Sequence, residues 1–142
     1  MDNFPHIFLL PKLSKIDLSY NHFLTGFLPE FHSSSSLELL DLSSTNFFGI
    51  LPNSIDNLKS LIKLDLSQTK LSWEIPNSIG NLQSLNFLDL SSSNFSGAIP
   101  HSILESNLAF FLSLSLSLSS NNFHSQLPSA LGNLANLFFF FF

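Results

Sequence analysis

The sequence contains no cysteine and no arginine, and its five lysines face ten acidic residues. Without cysteine the chain has no disulfide and no thiolate ligand for a metal ion. The net charge of −5 argues against nucleic acid as a partner, because phosphates call for clustered basic side chains. No stretch reaches the roughly 18 consecutive apolar residues of a membrane helix. The segment 1–5 lacks the basic and apolar regions of a secretory signal, so neither a signal peptide nor a transmembrane helix is visible.

Motifs for catalysis are missing as well. The sequence has no glycine-rich phosphate loop and no nucleophile elbow. Aspartate and serine recur together, but at one repeated position, which a structural repeat explains better than a single catalytic site. No metal-ligand spacing relates the five histidines, which are His6, His22, His32, His101 and His124. We therefore expect no enzymatic activity, no catalytic residues, no cofactor and no metal site.

A phrase of four residues, Leu-Asp-Leu-Ser, recurs along the chain. It occurs at 40–43, 64–67 and 88–91, and residues 16–19 give it with isoleucine in the first place. Each of these four copies is followed by an apolar residue and a proline, at Pro29, Pro52, Pro76 and Pro100, and a fifth such pair ends at Pro128 after a longer gap. Repetition at such intervals indicates a solenoid, and solenoids serve mostly as binding surfaces.

The repeat follows the template Leu-x-x-Leu-x-Leu-x-x-Asn-x-Leu-x-Gly-x-Ile-Pro. Its Leu-x-Leu core places two side chains on one face of a strand, since side chains alternate along a strand. We predict one short strand per coil, parallel pairing between neighbouring coils, and columns of leucine, isoleucine and phenylalanine inside. The predicted organisation is an N-terminal remnant at 1–11, repeats at 12–137 and a poly-phenylalanine tail at 138–142.

The template resembles the leucine-rich repeat, and its Gly-x-Ile-Pro half resembles the plant-specific subtype. Residues 76–85 match the linking part of that subtype, and 43–49 are similar to receptor-like proteins of plant cell surfaces. The resemblance implies a leucine-rich repeat solenoid of about five repeats. Each coil would carry a β-strand plus a 3-10 turn or loop, with a parallel sheet on the concave face. The cysteine-bearing caps of the family are not visible, so the array is expected to be uncapped.

The same resemblance implies a function in recognition. The best interpretation is a fragment of a plant receptor-like protein, a membrane glycoprotein whose extracellular part binds a protein or peptide ligand. The parent would sit at the plasma membrane and act in defence or developmental signalling through a co-receptor kinase. One alternative is a secreted protein similar to the polygalacturonase inhibitors. Another is a truncated remnant without a function of its own.

Ligand contacts are expected at the variable outward positions of the concave face. The candidates are Lys15, Tyr20, Leu39, Lys63, Gln68 and Phe87, whereas the aspartate column is expected to bond between coils. Asn94 begins the only Asn-x-Ser/Thr sequon, Asn94-Phe95-Ser96, and is a candidate glycosylation site. Trp73 stands where other coils have glycine, and we interpret it as an exposed substitution with binding as an alternative.

Two features depart from the template. Thr45, Thr69 and Ser93 replace the asparagine, so a hydroxyl replaces an amide at the turn. The run 112–119 alternates leucine and serine, and a strand of that kind can slip by two residues without changing its buried face. A bulge or a longer loop is therefore predicted at 108–114.

Overall fold

The computed structural model describes residues 4–105, 114–124 and 137–141. Parallel strands form two sheets, and the predicted solenoid is confirmed. The first sheet has six strands, in the order β1 Lys15–Asp17, β3 Leu39–Asp41, β5 Lys63–Asp65, β7 Phe87–Asp89, β9 Leu114–Ser117 and β11 Leu137–Phe141. The second has five, in the order β10 Asn122–Phe123, β8 Asn94–Gly97, β6 Lys70–Glu74, β4 Asn46–Gly49 and β2 Thr25–Gly26.

Equivalent positions of successive coils pair directly in the first sheet. Ile16 lies opposite Leu40, Leu40 opposite Leu64, and Leu64 opposite Leu88. Leu116 follows in the same row, so β9 keeps the common register despite its alternating leucines and serines. The loop predicted at 108–114 falls almost wholly outside the described residues. Strand β11 pairs with β9 across a register shift and runs over the predicted boundary between 137 and 138.

The second sheet was not predicted from the sequence, and its register is different. Gly26 pairs with Phe47, Gly49 with Leu71, and Trp73 with Phe95. The repeat template instead aligns Gly26 with Gly49, Gly49 with Trp73, and Trp73 with Gly97. Each observed partner therefore lies two residues before the one that the template gives. Each coil is thus shifted by two residues against the next along this sheet. The sequence gives little sign of such pairing because glycine, serine and asparagine are poor strand formers.

The return segment of each coil is helical over a single short stretch. Residues Asn53–Asn57 and Asn77–Asn81 form 3-10 turns, each preceded by a proline in extended conformation. The next coil has a short α-helical segment at the same place, α1 His101–Glu105. A further 3-10 helix, Phe4–Leu9, precedes the first strand. Proline fixes its own φ and carries no N–H, which suits the start of a helical turn.

The core is one continuous column enclosed by the two sheets and the helical turns. Leu40, Leu64 and Leu88 enter it from the first sheet and are at most 2% exposed. Phe47 and Phe95 fill it from the second sheet and are fully buried. Burying a side chain of this size contributes about 1.5–3 kcal/mol. Because the contacts connect neighbouring coils, no coil is stable without the next.

Hydroxyl groups replace the missing asparagines at the turns after β3, β5 and β7, where Thr45, Thr69 and Ser93 stand. Thr45 donates from Oγ1 to the carbonyl of Leu42 (2.6 Å), and Thr69 does the same to Leu66 (2.8 Å). Asn121, which keeps the template residue, donates from Nδ2 to the carbonyl of Leu90 in the preceding coil (2.6 Å) and accepts from the N–H of Phe95 (3.1 Å). The amide therefore connects two coils. The hydroxyl of Ser93 does so as well, by donating to the carbonyl of Leu66 (2.9 Å), whereas the hydroxyl of Thr45 bonds within its own coil.

Candidate surface on the first sheet

The outward face of the first sheet carries its side chains in straight columns. The first column is formed by Lys15, Leu39, Lys63 and Phe87, which are paired neighbour to neighbour. Four of the six predicted ligand contacts therefore lie side by side, and we call them the variable column. Lys15 is exposed, and the other three are partly buried. Their role in ligand contact remains a prediction.

The other two predicted contacts lie beyond the strands. Tyr20 and Gln68 occupy the same template position and both have positive φ, at 58° and 53°. Tyr20 is 75% exposed, and Gln68 is exposed with its Oε1 accepting a hydrogen bond from Ser44 Oγ (3.2 Å). The backbone conformation turns these side chains away from the strand direction. They form the margin of the surface rather than part of the variable column.

The aspartate column runs beside the variable column, and most of its bonds lie within one coil. Asp41 accepts at Oδ1 from both the N–H (3.0 Å) and the hydroxyl (2.7 Å) of Ser43. Asp17 and Asp65 form the same clasp with Ser19 and Ser67, and Asp89 accepts from the N–H of its own serine. Each carboxylate is therefore bonded two residues away within its own coil. The expected bond between coils is made by one of the four aspartates, Asp41, to Lys63 of the following coil, while the Asp-x-Ser bond is a complete local motif in itself.

Lys63 connects the aspartate column to its neighbouring coils. Its Nζ lies 2.7 Å from Oδ2 of Asp41 in the preceding coil and 3.8 Å from Oδ2 of Asp65. The same nitrogen lies 5.1 Å from the ring centre of Phe87 in the following coil. One cation thus contacts three consecutive coils. An ammonium group over an aromatic ring is attracted to the negative face of the ring.

Three ionisable groups on this face have shifted pKa values. Burial raises the pKa of Asp65, and the charges of Asp41 and Asp89 act in the same direction against the hydrogen bonds of Ser67. Hydrogen bonds from Ser19 lower the pKa of the exposed Asp17. Burial alone would lower the pKa of Lys63, but the hydrogen bond to Asp41 and the surrounding carboxylates outweigh it, and the pKa is raised. Lys63 therefore stays charged and balances part of the acidic column.

Asn94 lies away from this surface. It is the first residue of β8 in the second sheet, opposite Ser72, and its side chain is exposed. In the part of the chain that the structure describes, the Asn94 side chain makes no hydrogen bond. Strand β8, which it begins, was not predicted from the sequence. Glycosylation of Asn94 remains a prediction.

A second group of exposed side chains includes Trp73, whose predicted exposure is confirmed, and two residues that sequence reasoning missed, Phe48 and Ile50. Phe48, Ile50 and Trp73 lie in or beside the second sheet and are 49%, 56% and 68% exposed. The only available signal was the pair of apolar residues around Gly49 and the tryptophan itself.

Within residues 4–105, 114–124 and 137–141, no cluster of three histidine, aspartate or glutamate side chains could hold a metal ion. Over the same ranges no helix is long and apolar enough to cross a membrane.

Comparison with known proteins places the repeat in a family. The family model described as Leucine Rich Repeat matches residues 12–34, 36–58, 60–82, 84–105 and 114–134, which together make up more than half of the chain. No curated protein is significantly similar to the chain in sequence.

Several solved plant receptor structures are similar. A TDR receptor is 38% identical with a TM-score of 0.85, over 96% of this chain and 23% of its own length. The Arabidopsis receptor kinase HAESA ectodomain, in complex with an extended IDA peptide hormone, is 38% identical with a TM-score of 0.82, over 93% and 22%. HAESA with IDA and the co-receptor SERK1 matches at 30% identity and a TM-score of 0.71, over 89% and 25%. The chain thus spans about a quarter of these ectodomains.

Proposed function

Because the chain belongs to the leucine-rich repeat family, we propose that the outward face of its first sheet binds a protein or peptide ligand. The chain would be part of the ectodomain of a plant receptor-like protein. The parent would be a glycoprotein of the plasma membrane with this part outside the cell, and it would act in defence or development. It would signal through a co-receptor kinase, as the complex of HAESA with IDA and SERK1 suggests by analogy. The chain would serve as a binding module rather than as an enzyme.

The observation that carries this proposal is the variable column. Its members differ chemically from coil to coil, while the aspartates beside them are constant and bonded to their own serines. Variation at a fixed position on a rigid sheet provides specificity, since the backbone is already ordered before binding. Leu39 and Phe87 offer apolar contact area on either side of Lys63, and a large aromatic side chain is a common centre of binding energy.

A selection experiment tests the surface. The purified chain is used to select from a random displayed peptide library, and the selected peptides are measured by surface plasmon resonance. We expect Phe87→Ala and Leu39→Asp to weaken binding by about tenfold or more, as loss of an interface hot spot does. Gln83→Ala, an exposed residue of the return segment, is the matched control and should bind as the unaltered chain does. Peptides that bind both column variants at full strength would refute the proposal.

A further inference from the structure

A groove of about 500 Å³ lies on the second sheet, apart from the variable column. Its volume is in the range of roughly 300–1,000 Å³ that is typical of small-molecule sites. Trp73 forms its aromatic wall, and Ile50 adds an apolar contact. The lining also includes four polar side chains: Asn53, Glu74, Ser96 and His124.

Trp73 is held in a conformation that its side chain disfavours. Its φ is 74°, in the region that glycine adopts at the equivalent positions, Gly49 (92°) and Gly97 (77°). A side chain in this region brings Cβ close to the following carbonyl oxygen, which disfavours it. The ring recovers little of that cost by burial, since the residue is 68% exposed. The fold imposes this conformation on the slot, and strained residues of this kind cluster at binding sites, so an exposed aromatic ring in place of glycine is a candidate for ligand contact.

The polar groups around the ring are available to a ligand. The side chains of Asn53, Glu74 and His124 are exposed and make no hydrogen bond to any described residue. Glu74 lies over Gly97, where a Cβ would come within 2.6 Å of Glu74 Cγ. The absence of a side chain at Gly97 thus gives Glu74 its place in the groove. The backbone N–H of His124 donates to the carbonyl of Gly97 (3.4 Å), which holds that residue beside it.

We propose that this groove binds a neutral pyranose ring of an oligosaccharide. One face of a pyranose carries C–H groups that pack on the negative face of an indole, while its hydroxyls donate to and accept from the surrounding polar side chains. The described lining contains a carboxylate and no lysine, and the chain carries a net charge of −5, so an anionic uronate is disfavoured. A quaternary ammonium would require an aromatic cage, and Trp73 is the single aromatic wall among the described residues.

The experiment uses Trp73 itself as the reporter, because it is the only tryptophan in the chain. The tryptophan fluorescence of the full chain is titrated with cellohexaose, mannohexaose, chitohexaose, hexagalacturonate and tetramethylammonium chloride. We expect a saturable change with at least one of the three neutral sugars and none with the galacturonate or the ammonium salt. A response to either charged probe without a response to the neutral sugars overturns the proposal, and so does the absence of any response.

Variants separate binding from folding. Calorimetric titration of the responding sugar into Trp73→Gly should show about a tenfold or greater loss of affinity, as expected for removal of an aromatic hot spot. The melting temperature of this variant should rise, so misfolding cannot explain the loss. Glu74→Gln should bind more weakly than the unaltered chain. Phe23→Ser changes a residue that is 96% exposed outside the groove and should bind normally. Unchanged affinity in Trp73→Gly would overturn the site.

Discussion

At the scale of the residue, backbone conformation distinguishes positions that look alike in sequence. The slot of Tyr20 and Gln68 has positive φ in five successive coils without a single glycine, the others being Ser44, Ser92 and Ser120. The slot of Trp73 has positive φ in three coils, and two of them use glycine. Asparagine, serine and other polar residues visit this region more readily than a bulky aromatic does. The two aromatic residues, Tyr20 and Trp73, are therefore the costly ones, and Trp73, at 74°, lies further from the left-handed minimum at about 57°.

Replacing Trp73 with glycine should stabilise the chain by about 1 kcal/mol, because the strain is removed and little buried area is lost. Glycine's greater freedom in the unfolded chain reduces the gain. Urea unfolding followed by far-UV circular dichroism measures the difference. Gly49→Ala is the matched control, because nothing lies within 4 Å of the Cβ position at Gly49. Its expected loss of stability therefore measures only the cost of placing a side chain at φ = 92°. A Trp73→Gly variant less stable than the unaltered chain would contradict the account of strain.

The carboxylates of the aspartate column should give opposite pH dependences. The folded pKa of Asp65 is raised, so ionisation costs stability as pH rises through that pKa. Asp65→Asn should therefore gain stability relative to the unaltered chain between acid and neutral pH. The folded pKa of Asp17 is lowered, so its stabilisation is present above the unfolded pKa and is lost as pH falls through the folded pKa.

Asp17→Asn is the counterpart and should lose stability relative to the unaltered chain over the same rise in pH. Urea unfolding at a series of pH values measures both variants. Both asparagine variants keep an Oδ1 acceptor for the serine, so the comparison reports charge. Curves that remain parallel to that of the unaltered chain would show that burial of Asp65 has no effect on its ionisation.

At the scale of the element, the first sheet could be predicted and the second could not. Leu40, Leu64 and Leu88 stand 24 residues apart, and each lies in the same pattern of alternating apolar and polar residues. The alternation specifies a strand, and the constant spacing between copies specifies how neighbouring strands pair. The same register places Lys15, Leu39, Lys63 and Phe87 in one column, so most of the candidate surface follows from spacing. The strands of the second sheet contain weak strand formers, so their existence is hard to predict. They also pair with a shift of two residues, so aligning the coils by sequence gives the wrong partners.

Side-chain detail was harder to predict than spacing. The clasp of each aspartate to its serine was missed because alignment emphasises relations between coils, while this bond is local. The groove beside Trp73 was missed because φ cannot be read from a residue name. Its lining also combines Ile50, Glu74 and His124, which come from three different coils of an unpredicted sheet.

Asn121 should be the most important of the turn residues. Its amide makes four hydrogen bonds, to the carbonyls of Leu90, Leu118 and Ser119 and from the N–H of Phe95. Asn121→Ala leaves those groups unpaired and should cost about 2–3 kcal/mol, since one unsatisfied buried group costs about 1–3 kcal/mol. Thr45→Ala removes one bond and should cost less. Equal losses in the two variants, measured by urea unfolding, would contradict this ranking.

At the scale of the whole molecule, stability is shared between neighbouring coils. Leu64 is fully buried between Leu40 and Leu88, so its truncation affects two interfaces at once. Leu64→Ala should cost about 2–5 kcal/mol. Hydrogen exchange should show faster exchange in β3 and β7 as well as in β5, since coils without an intact neighbour do not hold their structure.

The comparison variant is Ile16→Val in β1, which has a described strand partner on one side alone. It should cost about 0.5–1.5 kcal/mol, with faster exchange confined to β1 and β3. Exchange that accelerates only at β5 in Leu64→Ala would mean that each coil is stable independently. A continuous core would then not be what holds the array together.

The two sheets differ in register, so substitutions and insertions affect their two surfaces differently. Across the first sheet, neighbouring strands present the same template position side by side. A ligand that crosses these strands would contact that position in each coil, so single substitutions can change its contacts one coil at a time. Across the second sheet, paired residues of neighbouring strands come from different template positions, so that a glycine lies beside a phenylalanine or a leucine. A duplicated coil would extend the column of the first sheet wherever it was inserted. The groove beside Trp73 would change only if the new coil entered among the coils that line it. Repeat duplication therefore preserves the pattern of the first sheet, whereas on the second sheet its effect depends on where the new coil is inserted.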